Sequence, residues 1–347
     1  METKNTLKRA VFDWQAQNFE KWLNQNPNAE IISISGKYGE AGMRMMSEVL
    51  LRKCDSVLVD ISNLNFWGAY EDSLDDEDFE VEVFYQIMGF SDYLIGKMIL
   101  NRNYGNKFRI SNHMAFSEDG RVLVHMPTDF EVKIPEEIEI IGQYAIAHNH
   151  TLTNIELPQN VNVIDEDAFL DCQNLKRVIL HDGITNIGRG CFYHCGIEEL
   201  RLSQSLTEIP DFSFFSCKIK HLNIPTNVKH IGDNAFGHCC LEGYLIIPEG
   251  VETIGSTALQ GNYTHITLPS TLKNIAYDFY SYCIDDDEDY PESIKKQIEL
   301  NRNDFLPYVD IHPDNPIYYS ENGKLYRRDN PNKPYLGCIA DTNGVSE

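Results

Sequence analysis

Apolar and polar positions repeat along the middle of the chain at steps of 21 to 23 residues. In each copy an isoleucine is followed, eight positions later, by cysteine or asparagine, as in VKHIGDNAFGHC. Self-similarity at a fixed period of this length is typical of solenoids, in which each repeat buries its apolar face against its neighbours. The isoleucines of the successive copies are Ile141, Ile164, Ile187, Ile209, Ile231, Ile254 and Ile275.

A second kind of segment lies between one copy and the next. In stretches such as LTNIELP, LKRVILH and YTHITLP, apolar and other side chains alternate. Alternation with a period of two predicts a β-strand with one buried face. Equivalent strands of successive coils stack roughly 4.8 Å apart, so the predicted fold is an α/β repeat solenoid of parallel strands with short helical or irregular turns.

The repeat also resembles that of a known family. Residues 152–172 and 219–239 follow the form L..I.LP..V..IG..AF..C, which is the repeat of the BspA-like leucine-rich repeat proteins of anaerobic bacteria and some protists. The resemblance implies a leucine-rich-repeat solenoid and, from the role of some relatives, surface adhesion and binding of host matrix. Departures from the form occur at Pro210, His181, Ser203 and Asn262, the last in the place of the cysteine.

The flanking segments are predicted to cap the array. Residues 30–66 resemble the strand, helix and strand that open such arrays, and residues 291–305 begin with a proline suited to a first helical turn. Asp119-Gly120 and Asn322-Gly323 predict β-hairpins. Residues 6–23 predict a helical N-terminal start, because one helical stripe collects Leu7, Val11, Trp14, Trp22 and Leu23.

We therefore predict three regions. Residues 1–110 form an atypical N-terminal capping region with degenerate repeats, and residues 111–284 form the leucine-rich repeat array. Residues 285–347 form an acidic loop, a helix and a hairpin that cap the C-terminus. Solenoids need such covers because exposed strand edges and an apolar end would otherwise invite association.

The cysteines raise the question of a metal site. Cysteine holds the position eight residues after the isoleucine in five copies, and asparagine (Asn149 and Asn262) holds it in two, which favours a small buried residue or a turn former. Zinc or disulfides between coils are the alternatives, because His194 and His238 adjoin two of these cysteines. We expect both histidines to face solvent, and predict no metal and no cofactor. The five cysteines are Cys172, Cys195, Cys217, Cys239 and Cys283.

Composition narrows the classes of partner and reaction. The net charge of -24 argues against nucleic acid and anionic membrane surfaces, and no apolar run is long enough to span a membrane. The acidic runs at 70–82 and 285–289 lack the form of a calcium loop. No motif of nucleophilic catalysis, phosphate binding or dinucleotide binding occurs, so we predict that the chain is not an enzyme. The absence of an export signal favours a cytoplasmic location, whereas the family resemblance implies the cell surface or secretion.

The outward residues of the predicted strands form two columns. The first contains Asn154, Arg177, Glu199, His221, Tyr244 and His265, and the second contains Glu156, Ile179, Arg201, Asn223, Ile246 and Thr267. A strand face of this kind is the usual ligand surface of repeat proteins. We predict an interaction module that binds a protein or glycan partner there; a merely solvated face, a metal-dependent protein built on the Cys/His coils and a purely structural array are the alternatives. The predicted contact residues are Arg177, Glu199, Arg201, His221, Tyr244, Ile246 and His265.

Overall fold

The structure, a computed structural model, describes residues 9–13, 18–38, 40–66, 94–128, 133–276, 279 and 307–335. The chain divides into two compact units, of which the first comprises Met1–Leu152 and Pro158–Phe169 and the second Thr153–Leu157 and Leu170–Glu347. Within the described residues, no helix is both long and apolar enough to cross a membrane.

In the first unit the described residues form a sheet and three helices. Parallel pairing joins β1, β2 and β3; antiparallel pairing joins β3 to β6; and β6, β7 and β8 are again parallel. The strands are β1 (Arg9–Asp13), β2 (Ile31–Tyr38), β3 (Val57–Phe66), β4 (Lys107–Ser111), β5 (Met114–Ser117), β6 (Val122–His125), β7 (Ile140–Ile141) and β8 (Val163–Ile164). The helices are α1 (Phe19–Gln25), α2 (Glu40–Lys53) and α3 (Leu94–Leu100), followed by a 3-10 turn at Asn101–Tyr104.

The N-terminal start differs from its prediction. A single helix over residues 6–23 is wrong, because Arg9–Asp13 forms β1 and pairs in parallel with β2. The helix begins only at Phe19, where the Asn18 side chain caps it by accepting a hydrogen bond from the Lys21 N–H. Phe19 and Trp22 are buried and stack with ring centroids 5.8 Å apart. The predicted strand, helix and strand of residues 30–66 are confirmed as β2, α2 and β3.

The second unit contains the regular coils. Each coil has a corner segment at its repeat isoleucine, and the corners of β12, β13, β15 and β17 pair in parallel. Every repeat isoleucine of the chain is buried, which confirms the periodic pattern. The strands are β9 (Arg177–Ile179), β10 (Asn186–Ile187), β11 (Glu199–Arg201), β12 (Glu208–Ile209), β13 (His230–Ile231), β14 (Leu241–Ile246), β15 (Thr253–Ile254), β16 (Gly261–Leu268), β17 (Asn274–Ile275), β18 (Tyr308–Ile311), β19 (Tyr318–Glu321), β20 (Lys324–Arg327) and β21 (Asn330–Pro334).

A backbone ladder joins the turns that follow the corners. Phe192 N–H donates to the Ser213 carbonyl, and Phe214 N–H donates to the Ala235 carbonyl, each at 2.8 Å. Residues with positive φ recur in these turns, among them Phe212 at 57° and His194 at 56°. Because such a φ is costly for a bulky side chain, the ladder and the packing of neighbouring coils must hold it in place. Inside these turns the rings of Phe192, Phe214 and Phe236 stack with centroids 5.4 and 5.1 Å apart.

The strand face consists of two sheets. β9 pairs with β11, and β14, β16 and β18 pair in order, all in parallel. The intervening coil at residues 219–224 forms no strand, although single hydrogen bonds link it to both sides, from Lys218 N–H to the Ile197 carbonyl and from Glu242 N–H to the Lys220 carbonyl. The strand face is therefore interrupted at the coil that carries His221.

The C-terminal hairpin covers the last described coil. β19 and β20 pair antiparallel around Asn322 and Gly323, which both have positive φ, so the Asn-Gly hairpin is confirmed. The buried Asn315 side chain ties this segment to the coil: its amide donates to the carbonyls of Pro269, Ser270 and Leu272 at 2.9 to 3.2 Å. Its Oδ1 atom accepts hydrogen bonds from two N–H groups at the start of the hairpin.

The Asp-Gly hairpin is also confirmed, because β5 and β6 pair antiparallel across Gly120, whose φ is 80°. The predicted helix at residues 291–305 and both acidic runs lie outside the described residues, as does Cys283.

Candidate functional site

The strand face places most of the predicted contact residues in columns. Parallel pairing sets Glu199 opposite Arg177 and Arg201 opposite Ile179. In the other sheet, Tyr244 lies opposite His265, and Ile246 opposite Thr267. The predicted columns are thus confirmed wherever the strands pair, whereas His221 and Asn223 lie on the coil that forms no strand.

Charged side chains on the first half of the face neutralise one another. We call this part, residues 176–201, the paired half. Lys176 and Glu198 form an ion pair at 3.0 Å, and Arg177 and Glu199 form another at 2.9 Å. Arg201 lies 3.6 Å from Asp182. Because each of these carboxylates has an arginine or lysine beside it, this half has few uncompensated charges to offer a partner.

The other half presents a column of aromatic rings. We call the strands β14, β16 and β18 with their outward side chains the ring half. The Tyr244 and His265 ring centroids are 5.7 Å apart, and the His265 and Tyr308 rings stack at 5.1 Å with an interplanar angle of 19°. Tyr244 is 77% exposed, Ile246 67% and Tyr308 48%. Ring contacts at these distances are favourable, and they leave much of the tyrosine surface open to solvent.

Two residues of the ring half escaped the sequence prediction. Parallel pairing with β16 places Tyr308 opposite His265 and Asp310 opposite Thr267, so they continue the two columns by one coil. The repeat period is lost after residue 283, which conceals their equivalence. The available signal was the alternation of YVDI at 308–311, in which Val309 and Ile311 are buried and Tyr308 is exposed.

Glycines shape the ring half at two points. Gly243 has a φ of 85° and marks a register shift in the pairing of β14 with β16, immediately before Tyr244. Such a bulge changes the direction of the side chain that follows it. At the other end, a Cβ atom on Gly323 would approach Cδ2 of the Tyr308 ring to 2.4 Å. The hairpin turn therefore packs directly against this ring, and only glycine fits there.

The cysteine column is buried and hydrogen-bonded. Cys217 Sγ donates to the Phe192 carbonyl at 3.3 Å, and Cys239 Sγ donates to the Phe214 carbonyl at 3.2 Å. Burial raises the pKa of the Cys217 thiol to about 12, and raises the pKa values of Cys195 and Cys239 well above 9. The burial of these side chains supports the interpretation of the cysteines as core residues.

Three details of this column differ from the prediction. Asn262 does not lie in the column, because β16 pairs with β14 so that Asn262 lies opposite Glu242 and is exposed. The coil is shorter here, and the Gln260 side chain accepts the hydrogen bond from His238 N–H at 2.5 Å. His238 is half-buried against Phe215, at 4.7 Å between ring centroids, instead of facing solvent.

The prediction that His194 faces solvent is confirmed. The His194 side chain is 50% exposed, and its Nδ1 atom lies 2.7 Å from Asp171 Oδ1. Asn149 performs the role predicted for asparagine in the column: it is buried, and its Oδ1 atom accepts hydrogen bonds from the N–H groups of Thr151 and Leu152.

Comparison with known proteins agrees with this architecture. The model of the BspA type Leucine rich repeat region matches residues 130–242 and 185–298, in six copies. A leucine-rich repeat protein from Bacteroides ovatus is 18% identical, with 45% of this chain and 49% of that chain covered at a TM-score of 0.36. A leucine-rich repeat protein from Eubacterium ventriosum is 17% identical, with 64% and 46% covered at a TM-score of 0.31.

The pneumococcal vaccine antigen PcpA is 21% identical, with 59% of this chain and 47% of that chain covered at a TM-score of 0.36. The chain spans less than half the length of each of these solved structures. None of the curated proteins matches it. Residues 130–298 of the chain are thus a BspA-type leucine-rich repeat region, as the resemblance of the repeats implies.

Proposed function

We propose that the chain is a non-enzymatic interaction module whose ring half is the centre of its binding surface. One observation carries the proposal: of the four large hydrophobic side chains that are exposed among the described residues, three lie together on this half. They are Tyr244, Ile246 and Tyr308. Clustered exposed apolar side chains on a soluble fold mark interaction sites, and tyrosine is enriched among the residues that contribute most to binding.

The proposal narrows the predicted surface. Arg177, Glu199 and Arg201 were predicted as contacts, but each is engaged in an ion pair within the paired half. A partner would have to break these pairs or tolerate them, so we assign them the rim of the site. Tyr244, Ile246 and His265 keep their predicted role, and Tyr308 and Asp310 join them. His221 lies on the interrupted coil and is also assigned to the rim.

Selection with defined libraries tests the proposal. The immobilised chain is probed with a displayed peptide library and with a glycan array, and the strongest binder is then titrated against two variants. We expect Tyr244→Ser/Ile246→Ser to weaken this binder at least ~10-fold, because two anchors are removed. The matched control, Arg177→Ser/Glu199→Ser, removes an ion pair from the same face without changing the net charge and is expected to change affinity less than ~3-fold. Stronger loss in the control would contradict the proposal.

The family resemblance implies that such a module acts in adhesion at the cell surface. Brief protease treatment of intact cells tests it, because a surface-located chain is digested while an internal marker protein persists. Survival of the chain under conditions that remove a known surface protein would contradict adhesion and leave the binding module itself in place.

A further inference from the structure

The charges of the ring half differ from those of the paired half. The strands β14, β16 and β18 contain no lysine or arginine, and they contain two carboxylates, Glu242 and Asp310. Glu242 lies 3.8 Å from Lys220. Asp310 Oδ2 lies 3.5 Å from Nε2 of His265, its only ion-pair partner among the described residues. Because an imidazole is positive only when protonated, the Asp310 carboxylate lacks the permanent cation that accompanies each carboxylate of the paired half.

The tyrosine rings on the same face as this carboxylate have the same electrostatic preference. The face of an aromatic ring carries partial negative charge and attracts a cation placed within about 6 Å of its centroid. His265 lies against one side of Tyr244, and the remaining exposure of 77% leaves most of the ring accessible. Arginine suits both kinds of group, because its planar guanidinium can stack on a ring or donate paired hydrogen bonds to a carboxylate.

We propose, resting on the proposed function above, that the ring half binds a partner segment that presents arginine, with guanidinium groups stacked on the exposed tyrosine rings and paired with Asp310. Charge complementarity is the basis of the proposal. The local site is negative, and the net charge of -24 increases the rate at which a basic protein or peptide encounters the chain. Lysine, a compact and strongly hydrated cation that cannot stack in this way, binds more weakly.

The test uses labelled Gly/Ser peptides that carry arginine, lysine or glutamate at the same positions, together with labelled cellohexaose as a neutral probe. Binding is followed by fluorescence anisotropy at physiological ionic strength, where the screening length is about 8 Å and diffuse attraction is reduced. We expect the arginine peptide to bind more tightly than the lysine peptide, and the glutamate peptide and cellohexaose not to bind. Asp310→Asn and Tyr244→Ser should each weaken the arginine peptide about 10-fold, while Tyr244→Phe retains the ring and most of the affinity.

The matched control is Glu156→Gln, which removes one exposed carboxylate from the same series of columns at its far end. It should change affinity less than ~2-fold. Equal losses in Glu156→Gln and Asp310→Asn would show diffuse attraction to an acidic chain and would overturn the inference. Binding of cellohexaose or the glutamate peptide that is lost in Tyr244→Ser would overturn it too, while supporting the strand face as the binding surface. Failure of Tyr244→Ser to affect any bound probe would count against both proposals.

Discussion

The two halves of the strand face share a backbone plan but differ in what they present to solvent. In the paired half, alternating charges on neighbouring strands bind one another, as in Arg177 and Glu199 at 2.9 Å. In the ring half, the equivalent positions hold Tyr244, His265 and Tyr308, whose rings contact one another in a row while Tyr244 and Tyr308 remain exposed. The same backbone geometry therefore yields one surface whose charges are paired with one another and one surface whose polar and apolar groups can contact a partner.

The ring half depends on the C-terminal segment, because Tyr308 and Asp310 reach the face only through the docking of β18 beside β16. Asn315 fixes that docking with five hydrogen bonds. We expect Asn315→Ala to lower the free energy of unfolding by about 3 kcal/mol, because several buried carbonyl and N–H groups lose their partners. Urea denaturation measures the loss. Asn154→Ala, an exposed asparagine, is the control and should cost less than ~0.5 kcal/mol; equal costs would show that Asn315 does not hold the segment.

A substitution in the hairpin turn has the next largest expected effect on stability. In Gly323→Ala the added Cβ atom would collide with the Tyr308 ring at a position whose φ is 76°. We therefore expect the free energy of unfolding to fall by about 2 kcal/mol and partner binding to weaken. Gly120→Ala is the matched control: its φ is 80°, but no atom lies within 4 Å of the added Cβ. In this variant the free energy of unfolding should fall by only about 1 kcal/mol, and the affinity for the partner should not change. If both variants bind equally well, the position of the Tyr308 ring does not matter for recognition.

The buried thiols of the turns give the stability of the solenoid a pH dependence. In the unfolded chain the Cys217 thiol loses its proton near pH 9, whereas burial keeps it protonated in the folded chain up to a pKa of about 12. The stability from this group is thus complete below pH 9 and falls as pH rises towards 12, by about 1.4 kcal/mol per pH unit. Cys217→Ala should show a correspondingly shallower decline in urea denaturation above pH 9. Parallel declines in the two proteins would contradict the assigned burial.

The smallest expected stability effects are on the face itself. Both Arg177→Ser/Glu199→Ser and Tyr244→Ser/Ile246→Ser should change the free energy of unfolding by less than ~0.5 kcal/mol, since all four side chains are largely exposed. Thermal and urea unfolding check both variants. A large loss in the tyrosine variant would mean that the ring column stabilises the solenoid, and its effect on binding would then need to be separated from unfolding.

Local periodicity explains why much of this architecture follows from the sequence. The corner isoleucines and the pairs Arg177 with Glu199 and Tyr244 with His265 repeat at nearly constant steps, so alignment of the coils places them. Asn262 failed the same alignment because the coil shortens and the Gln260 side chain replaces a backbone acceptor. When a side chain takes the place of a backbone acceptor, the periodic pattern of the sequence does not reveal it.

Other features depend on contacts that the local sequence does not contain. Arg9–Asp13 becomes a strand because β2 offers an edge for pairing, which overrides the helical spacing of its apolar residues. Phe212 and His194 adopt positive φ because the backbone ladder between coils requires it, although neither residue type favours that conformation. Tyr308 and Asp310 join the face across a long break in the repeat.

The most direct test of the ring half as the binding surface is hydroxyl-radical footprinting of the chain, free and saturated with the binder selected above. We expect Tyr244, Ile246 and Tyr308, which are exposed in the free chain, to become protected from oxidation, while the paired half around Arg177 and Glu199 remains unchanged. Protection confined to the paired half, or to neither half, would contradict it.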